Sequence, residues 1–184
     1  MTGSTNGREF TYSSHRIRRF SLIILCLSFL FFGIPLLILY GYENFYKGII
    51  RFIFTPAVTI PLIIAGILAH ELIHLVCFVL LGRVPVRNTR IGLGTAPLTP
   101  YVHCGIPVKV WVYLTSSIAP AGILGFLPIL WSLISGNTSV FVFGLIFMVG
   151  AGADLIITRD ILRISMHHQV QDHPEKPGFT VIDQ

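Results

Sequence analysis

Two histidines and a glutamate stand at the spacing of a metal-dependent hydrolase, inside a segment that is otherwise apolar. The segment reads AGILAHELIHLVCFVLLG from Ala65 to Gly82. On a helix, His70 and His74 lie one turn apart, so both imidazoles project from one face and can bind one ion. Glu71 follows about 100° round the helix, beside the ion, where a carboxylate can take a proton from water. This H-E-x-x-H arrangement is typical of zinc peptidases.

The apolar surroundings of this motif strengthen the metal interpretation. An ionisable side chain at membrane depth costs roughly 2.5–3.5 kcal/mol even on the lenient insertion scale. The alternative is a buried His–Glu pair that hydrogen-bonds to hold helices together. A catalytic zinc site usually has three protein ligands and one open position, so two histidines leave one ligand to be found.

The composition predicts an integral membrane protein that one compact unit can account for. Hydrophobic residues make up 53% of the 184 residues and charged residues 11%, against about 25% charged in soluble domains. The net charge of +5 does not indicate nucleic-acid binding, because the basic residues cluster beside hydrophobic segments as topology signals. Cys26, Cys77 and Cys104 form no disulfide framework and are expected to be thiols.

We predict an all-α polytopic fold, a transmembrane domain over residues 20–166. Its four helices are expected at about 20–40, 57–82, 110–135 and 138–161. The first is predicted to be a retained anchor, because its apolar core is too long for a signal peptide. Arginines in the N-terminal tail, residues 1–19, and after the second span place both termini in the cytosol. Residues 167–184 are expected to form a second flexible cytosolic tail.

Asp154 is the candidate third ligand, on the evidence of depth. Counted at 1.5 Å per residue from the outer ends of their spans, His70 and His74 lie about 20 and 26 Å deep. Asp154 in the fourth span lies about 24 Å deep by the same rise. Gly66 and Gly150 precede these residues by about one turn, and small residues let membrane helices approach closely.

Four segments together resemble the family called "putative zincin peptidases", small bacterial membrane proteins. They are AHELIHLVCFVLLG, PYVHCGIPV, GAGADLIITRDILR and DHPEKPGF, in this order, and the similarity covers roughly Ile60 to Val181. The arrangement is also similar to the three-helix core of the site-2 proteases, which cut helices within the bilayer. The resemblance implies one zinc per chain on His70, His74 and Asp154, with Glu71 as general base. Leu155 follows the aspartate here, where site-2 proteases usually have glycine.

The segment from Gly82 to Val110 is rich in Gly, Pro and Val, which favours short strands and turns on the cytosolic side. A hairpin there could bind an extended peptide at its edge, or it could be an ordinary connector. His103 and Cys104 in this loop are accessory candidates: they could reach the metal or polarise a substrate, or they could fix the loop.

The hydroxyls of Thr115, Ser116 and Ser117 lie near the predicted depth of His74. They could admit water or bind an oxyanion, and membrane helices also use such residues simply to pack.

The function predicted from these features is intramembrane zinc-dependent proteolysis by an endopeptidase. Its partners would be the lipid bilayer and a membrane-spanning or membrane-stub protein, with no nucleic acid. The competing hypothesis is a non-catalytic zinc-binding scaffold or a metal-handling membrane protein. Glu71 discriminates between the two, since pure binding needs no carboxylate beside the ion.

Overall fold

The computed structural model describes residues 7–93, 100–174 and 176–182, and 71% of the chain is helical. The outermost parts of the two predicted tails and residues 94–99 of the predicted loop lie outside these described residues. The helices are α1 (Ser14–Ser28), α2 (Ile34–Phe54), α3 (Pro56–Val76), α4 (Val110–Pro120), α5 (Leu127–Ser135), α6 (Thr138–Gly150) and α7 (Gly152–Ile161). Short π-helical turns extend α1, α3 and α4 at Phe29–Gly33, Cys77–Leu81 and Ala121–Phe126.

Three stretches of the described chain are long and apolar enough to cross a membrane. They are Ser14–Phe54, Pro56–Leu81 and Val110–Ser135. A fourth stretch is long and apolar enough only when α6 and α7 are taken together, and the chain bends between these two helices. These stretches are consistent with a membrane protein. The first is longer than the apolar run that predicted it, and Gly41 interrupts it with a φ of +79° that glycine adopts at no steric cost.

The strands form two antiparallel arrangements. A four-stranded sheet has the order β1 (Glu9–Thr11), β6 (Gly178–Ile182), β5 (Gln169–Asp172), β4 (Val108–Lys109). A separate pair joins β2 (Thr89–Leu93) and β3 (Pro100–Cys104), both within the segment where the sequence predicted strands and turns.

The four-stranded sheet corrects the expectation of two flexible tails and of strands confined to the loop between the second and third spans. Val170, Phe179 and Val181 are fully buried, and the rings of Phe10 and Phe179 stack at 4.9 Å. Burying these apolar side chains offsets the entropy of ordering the tails. Each strand has five residues or fewer, and the β1–β6 and β4–β5 pairs join distant parts of the chain, so local periodicity carries little signal for this sheet.

By its contacts the chain divides into two compact units, where the sequence suggested one. The helical unit comprises residues 18–70 and 120–152, and its core includes Leu36, Phe45, Ile129 and Phe141. Within it, a Cβ on Gly66 would meet the ring of Phe147 at 2.2 Å, so this small residue does permit close packing. A Cβ on Gly150 would meet no described atom within 4 Å.

The strand unit comprises residues 1–17, 71–119 and 153–184. It contains the four-stranded sheet, the β2–β3 pair, α7 and most of α4. Tyr113 on α4 contacts Phe78 and Phe179 with ring centroids 5.9 Å apart in both pairs, so helices and sheet share one core.

Candidate metal centre

Two helices supply the side chains of the H-E-x-x-H motif and the aspartate. α3 is a continuous helix that carries His70, Glu71 and His74 in its last two turns, and all three residues are half-buried. Asp154 lies in the first turn of α7, which begins immediately after the break at Ala151. An acidic residue in a first turn is stabilised by the exposed N–H groups and the positive end of the helix dipole.

The donor atoms of His70, His74 and Asp154 come together. One ligand atom from each lies within 4.8 Å of the others. Nε2 of His74 is 3.6 Å from Oδ2 of Asp154, and the two side chains are 12% and 21% exposed. His70 stands one turn before His74 on the same helix.

This donor set fits zinc. Zinc takes nitrogen and oxygen ligands at about 2.0–2.2 Å in tetrahedral geometry, which spaces neighbouring ligand atoms about 3.3–3.6 Å apart. The His74–Asp154 separation of 3.6 Å falls at the edge of that range. Two imidazoles and one carboxylate leave a fourth position open, as catalytic zinc sites do.

Ser116 holds the other side of the His74 ring. Its hydroxyl oxygen lies 3.3 Å from Nδ1 of His74 and donates to the backbone carbonyl of the same residue at 3.5 Å. In the tautomer that binds a metal through Nε2, Nδ1–H donates to Ser116, and Nε2 is the atom that faces Asp154. Partners of this kind fix the tautomer and orientation of a histidine ligand.

The other two hydroxyls of this triplet bond to their own helix. Thr115 donates to the carbonyl of Trp111 and Ser117 to that of Tyr113, both at 2.9 Å. These bonds agree with the alternative in which Thr115 and Ser117 serve only the packing of a membrane helix. Ser116 differs because it contacts a candidate ligand.

Cys104 is a buried structural residue. Its thiol is fully buried and donates to the carbonyl of Ile106 at 3.4 Å, and burial raises its pKa to about 11. A neutral thiol in this position is a poor metal ligand. Neither Cys104 nor His103 belongs to the group formed by His70, His74 and Asp154.

Asp172 is a residue that the sequence reasoning missed. It accepts the backbone N–H of Cys104 at 2.6 Å and the hydroxyl of Tyr113, and Nδ1 of His103 lies 3.7 Å from it. Burial raises the pKa of this carboxyl, and the hydrogen bonds from the Cys104 N–H and the Tyr113 hydroxyl oppose that rise. The segment DHPEKPGF was a signal for it, but no spacing rule connects that segment to residues 103–113.

The helices and the clustered donors together define a membrane-capable helical protein with a candidate metal centre on two helices. A family model described as "Putative zincin peptidase" matches residues 63–167, more than half of the chain, and the chain belongs to this family. The predicted zincin membership is thereby confirmed, and the family indicates a metallopeptidase that binds zinc. No curated protein and no solved structure matched the chain. The similarity to site-2 proteases stays a prediction.

Proposed function

We propose that this protein is an intramembrane zinc metallopeptidase that hydrolyses peptide bonds of membrane-embedded or membrane-associated substrates. The observation that carries the proposal is the cluster of His70, His74 and Asp154 beside Glu71. One ligand atom from each of the three residues lies within 4.8 Å of the others, on helices that are long and apolar enough to cross a membrane when α6 and α7 are counted together. The family match supports the peptidase class.

The roles follow from the chemistry of the side chains. His70, His74 and Asp154 would hold one Zn²⁺. Zinc, when bound, polarises the scissile carbonyl and lowers the pKa of water. Glu71 accepts the proton of the attacking water and delivers it to the leaving amine. Ser116 keeps Nε2 of His74 directed at Asp154.

The substrate must present an extended backbone. A helix hides its amides in internal hydrogen bonds, so a membrane-spanning substrate has to unwind before cleavage. Substrates with helix breakers, or short stubs left by an earlier cut, are therefore favoured. The β2–β3 pair offers a sheet edge to which such a segment could add.

We also propose that the protein is a multi-pass protein of a bacterial cell membrane with both termini in the cytosol. The arginines of the N-terminal segment and of the loop after α3 support this orientation.

Glu71→Gln separates the enzyme from a zinc-binding scaffold. The amide keeps the shape of the side chain but cannot accept the proton, so the variant should retain zinc and lose at least about 10²-fold in cleavage rate. Zinc is measured by mass spectrometry and cleavage with a co-reconstituted single-span substrate. His70→Ala serves as the zinc-free control.

Each outcome of this experiment decides something. Loss of zinc from Glu71→Gln would make Glu71 a ligand. Wild-type cleavage by that variant would contradict a general-base role, and absence of cleavage by the wild type would favour the scaffold.

A further inference from the structure

Asp172, at the end of β5, joins this strand to β3 and to α4 at one carboxylate. Its Oδ2 accepts the backbone N–H of Cys104 at the end of β3, and its Oδ1 accepts the hydroxyl of Tyr113 on α4. Oδ2 also lies 3.7 Å from Nδ1 of His103. The carboxylate is 14% exposed, so it serves these three partners rather than solvent. A buried carboxylate with these partners is held in one position.

The same carboxylate is linked to the candidate metal centre through α4. Its partner Tyr113 lies on α4 about one turn before Ser116, whose hydroxyl oxygen is 3.3 Å from Nδ1 of His74. His103, Asp172 and His74 all belong to the strand unit.

The three partners of Asp172 differ in what they can still offer a substrate. The thiol of Cys104 is buried and donates to the carbonyl of Ile106, and the hydroxyl of Tyr113 donates to Asp172 itself. The side chain of His103 is 23% exposed. A carboxylate facing Nδ1 favours the tautomer with its proton there, which leaves the lone pair on Nε2 to accept a hydrogen bond.

We propose that Asp172 is a positioning residue that holds the His103 imidazole as a binding group for the substrate backbone, with Nε2 accepting a peptide N–H. The proposal rests on the peptidase function proposed above. Because it recognises a backbone amide, the contact selects an extended peptide without selecting a side chain. Asp172 lies on β5, beyond residue 167 where the family match ends. The proposal therefore adds a C-terminal strand to the site.

The test measures binding, so that cleavage does not enter. The full chain with Glu71→Gln is reconstituted in phosphatidylcholine vesicles with a fluorescent single-span Leu/Ala peptide that carries a central Gly-Pro break. Four proteins form the double-mutant cycle: this background, His103→Ala, Asp172→Asn and the double variant. His173→Ala is the matched control, since this neighbouring imidazole faces Glu9 at 4.0 Å instead.

We expect His103→Ala to raise the Kd about tenfold, on the scale of one lost hydrogen bond, and Asp172→Asn to raise it about three- to tenfold. The double variant should bind no more weakly than His103→Ala, because Asp172 acts through His103. Zinc content should be unchanged in all variants, and His173→Ala should bind as the background does. In the cleaving protein, KM should rise while kcat changes less than threefold.

Three results would overturn the inference: a His103→Ala variant that binds normally, effects of the two substitutions that multiply, or a background protein that binds no peptide. His103→Ala decides the binding claim even if Asp172→Asn fails to fold, because His103 is partly exposed. Zinc content and the cleavage rate of Glu71→Gln report separately on the proposed function.

Discussion

At the scale of single residues, the two carboxylates of α7 make a controlled comparison. Asp154 lies 3.6 Å from His74, whereas Asp160 pairs with Arg159 and accepts the hydroxyl of Tyr12 at 2.9 Å. We expect Asp154→Asn to reduce zinc content from about one per chain to a small fraction, since the amide is a weaker ligand. Asp160→Asn should keep its zinc. Mass spectrometry of both purified variants is the measurement, and equal zinc content in the two would contradict the assignment.

Ser116 is expected to tune the affinity of the site without being a ligand. Ser116→Ala removes the hydroxyl that faces Nδ1 of His74. The substitution should weaken zinc binding about 10–100-fold, the usual effect of losing such a partner. Ser117→Ala removes a hydroxyl that bonds only to its own helix in the described contacts, and it should change affinity less than threefold. Competition with a chelator measures both. Similar affinities for the two variants would show that Ser116 serves packing alone.

At the scale of elements, Gly178 is the residue on which the pairing of β1 with β6 depends. Its φ is +146°, and a Cβ there would lie 2.0 Å from the carbonyl oxygen of Phe10. Gly178→Ala should therefore separate the two strands and lower the free energy of unfolding by about 1–3 kcal/mol. A thermal melt in detergent and protease cleavage near residues 7–12 are the readouts.

Gly122→Ala is the control for that experiment. A Cβ on Gly122 would meet no described atom within 4 Å, so the substitution should leave the melting temperature within about 2 °C. A Gly178→Ala protein as stable as this control would mean that β1 does not stabilise the fold.

The helices were predictable from composition and the sheet was not. The predicted ranges 57–82, 110–135 and 138–161 agree closely with α3, α4 with α5, and α6 with α7, because long apolar runs have few other ways to satisfy their backbone in lipid. Counting residues along the predicted spans also placed Asp154 at the same depth as the two histidines. Asp172 was missed because its strand β5 pairs with β4, which precedes α4, and β6 pairs with β1 near the start of the chain, a choice that tertiary packing makes.

At the scale of the whole molecule, the β1–β6 pairing bears on the number of membrane crossings. β1 precedes every candidate span and β6 follows all of them, yet the two strands are hydrogen-bonded neighbours. Strands that pair must lie on one side of the membrane, so the chain between them crosses an even number of times. The four predicted crossings, with α6 and α7 counted as one, satisfy this condition, whereas the three long helices alone do not.

We expect that common side to be the cytosol. Arg87→Cys or Arg90→Cys, introduced into a chain with Cys26→Ser to remove the exposed native thiol, should react with an impermeant maleimide only after the cells are opened. Lys47→Cys, at an exposed position of α2 that falls between the first two predicted spans, is the positive control and should react in intact cells. Labelling of residue 87 or 90 in intact cells would reverse the orientation.

The pairing of an early strand with a late one also sets an order in time. A ribosome makes β1 before any of the apolar helices and β6 after the last of them, so β1 waits for its partner throughout insertion. His70, His74 and Asp154 are all translated before Asp172. During synthesis the chain can thus assemble its three metal donors while the carboxylate beside His103 does not yet exist. Under our proposals, a nascent chain of this kind can bind zinc before its binding site for a peptide backbone is complete.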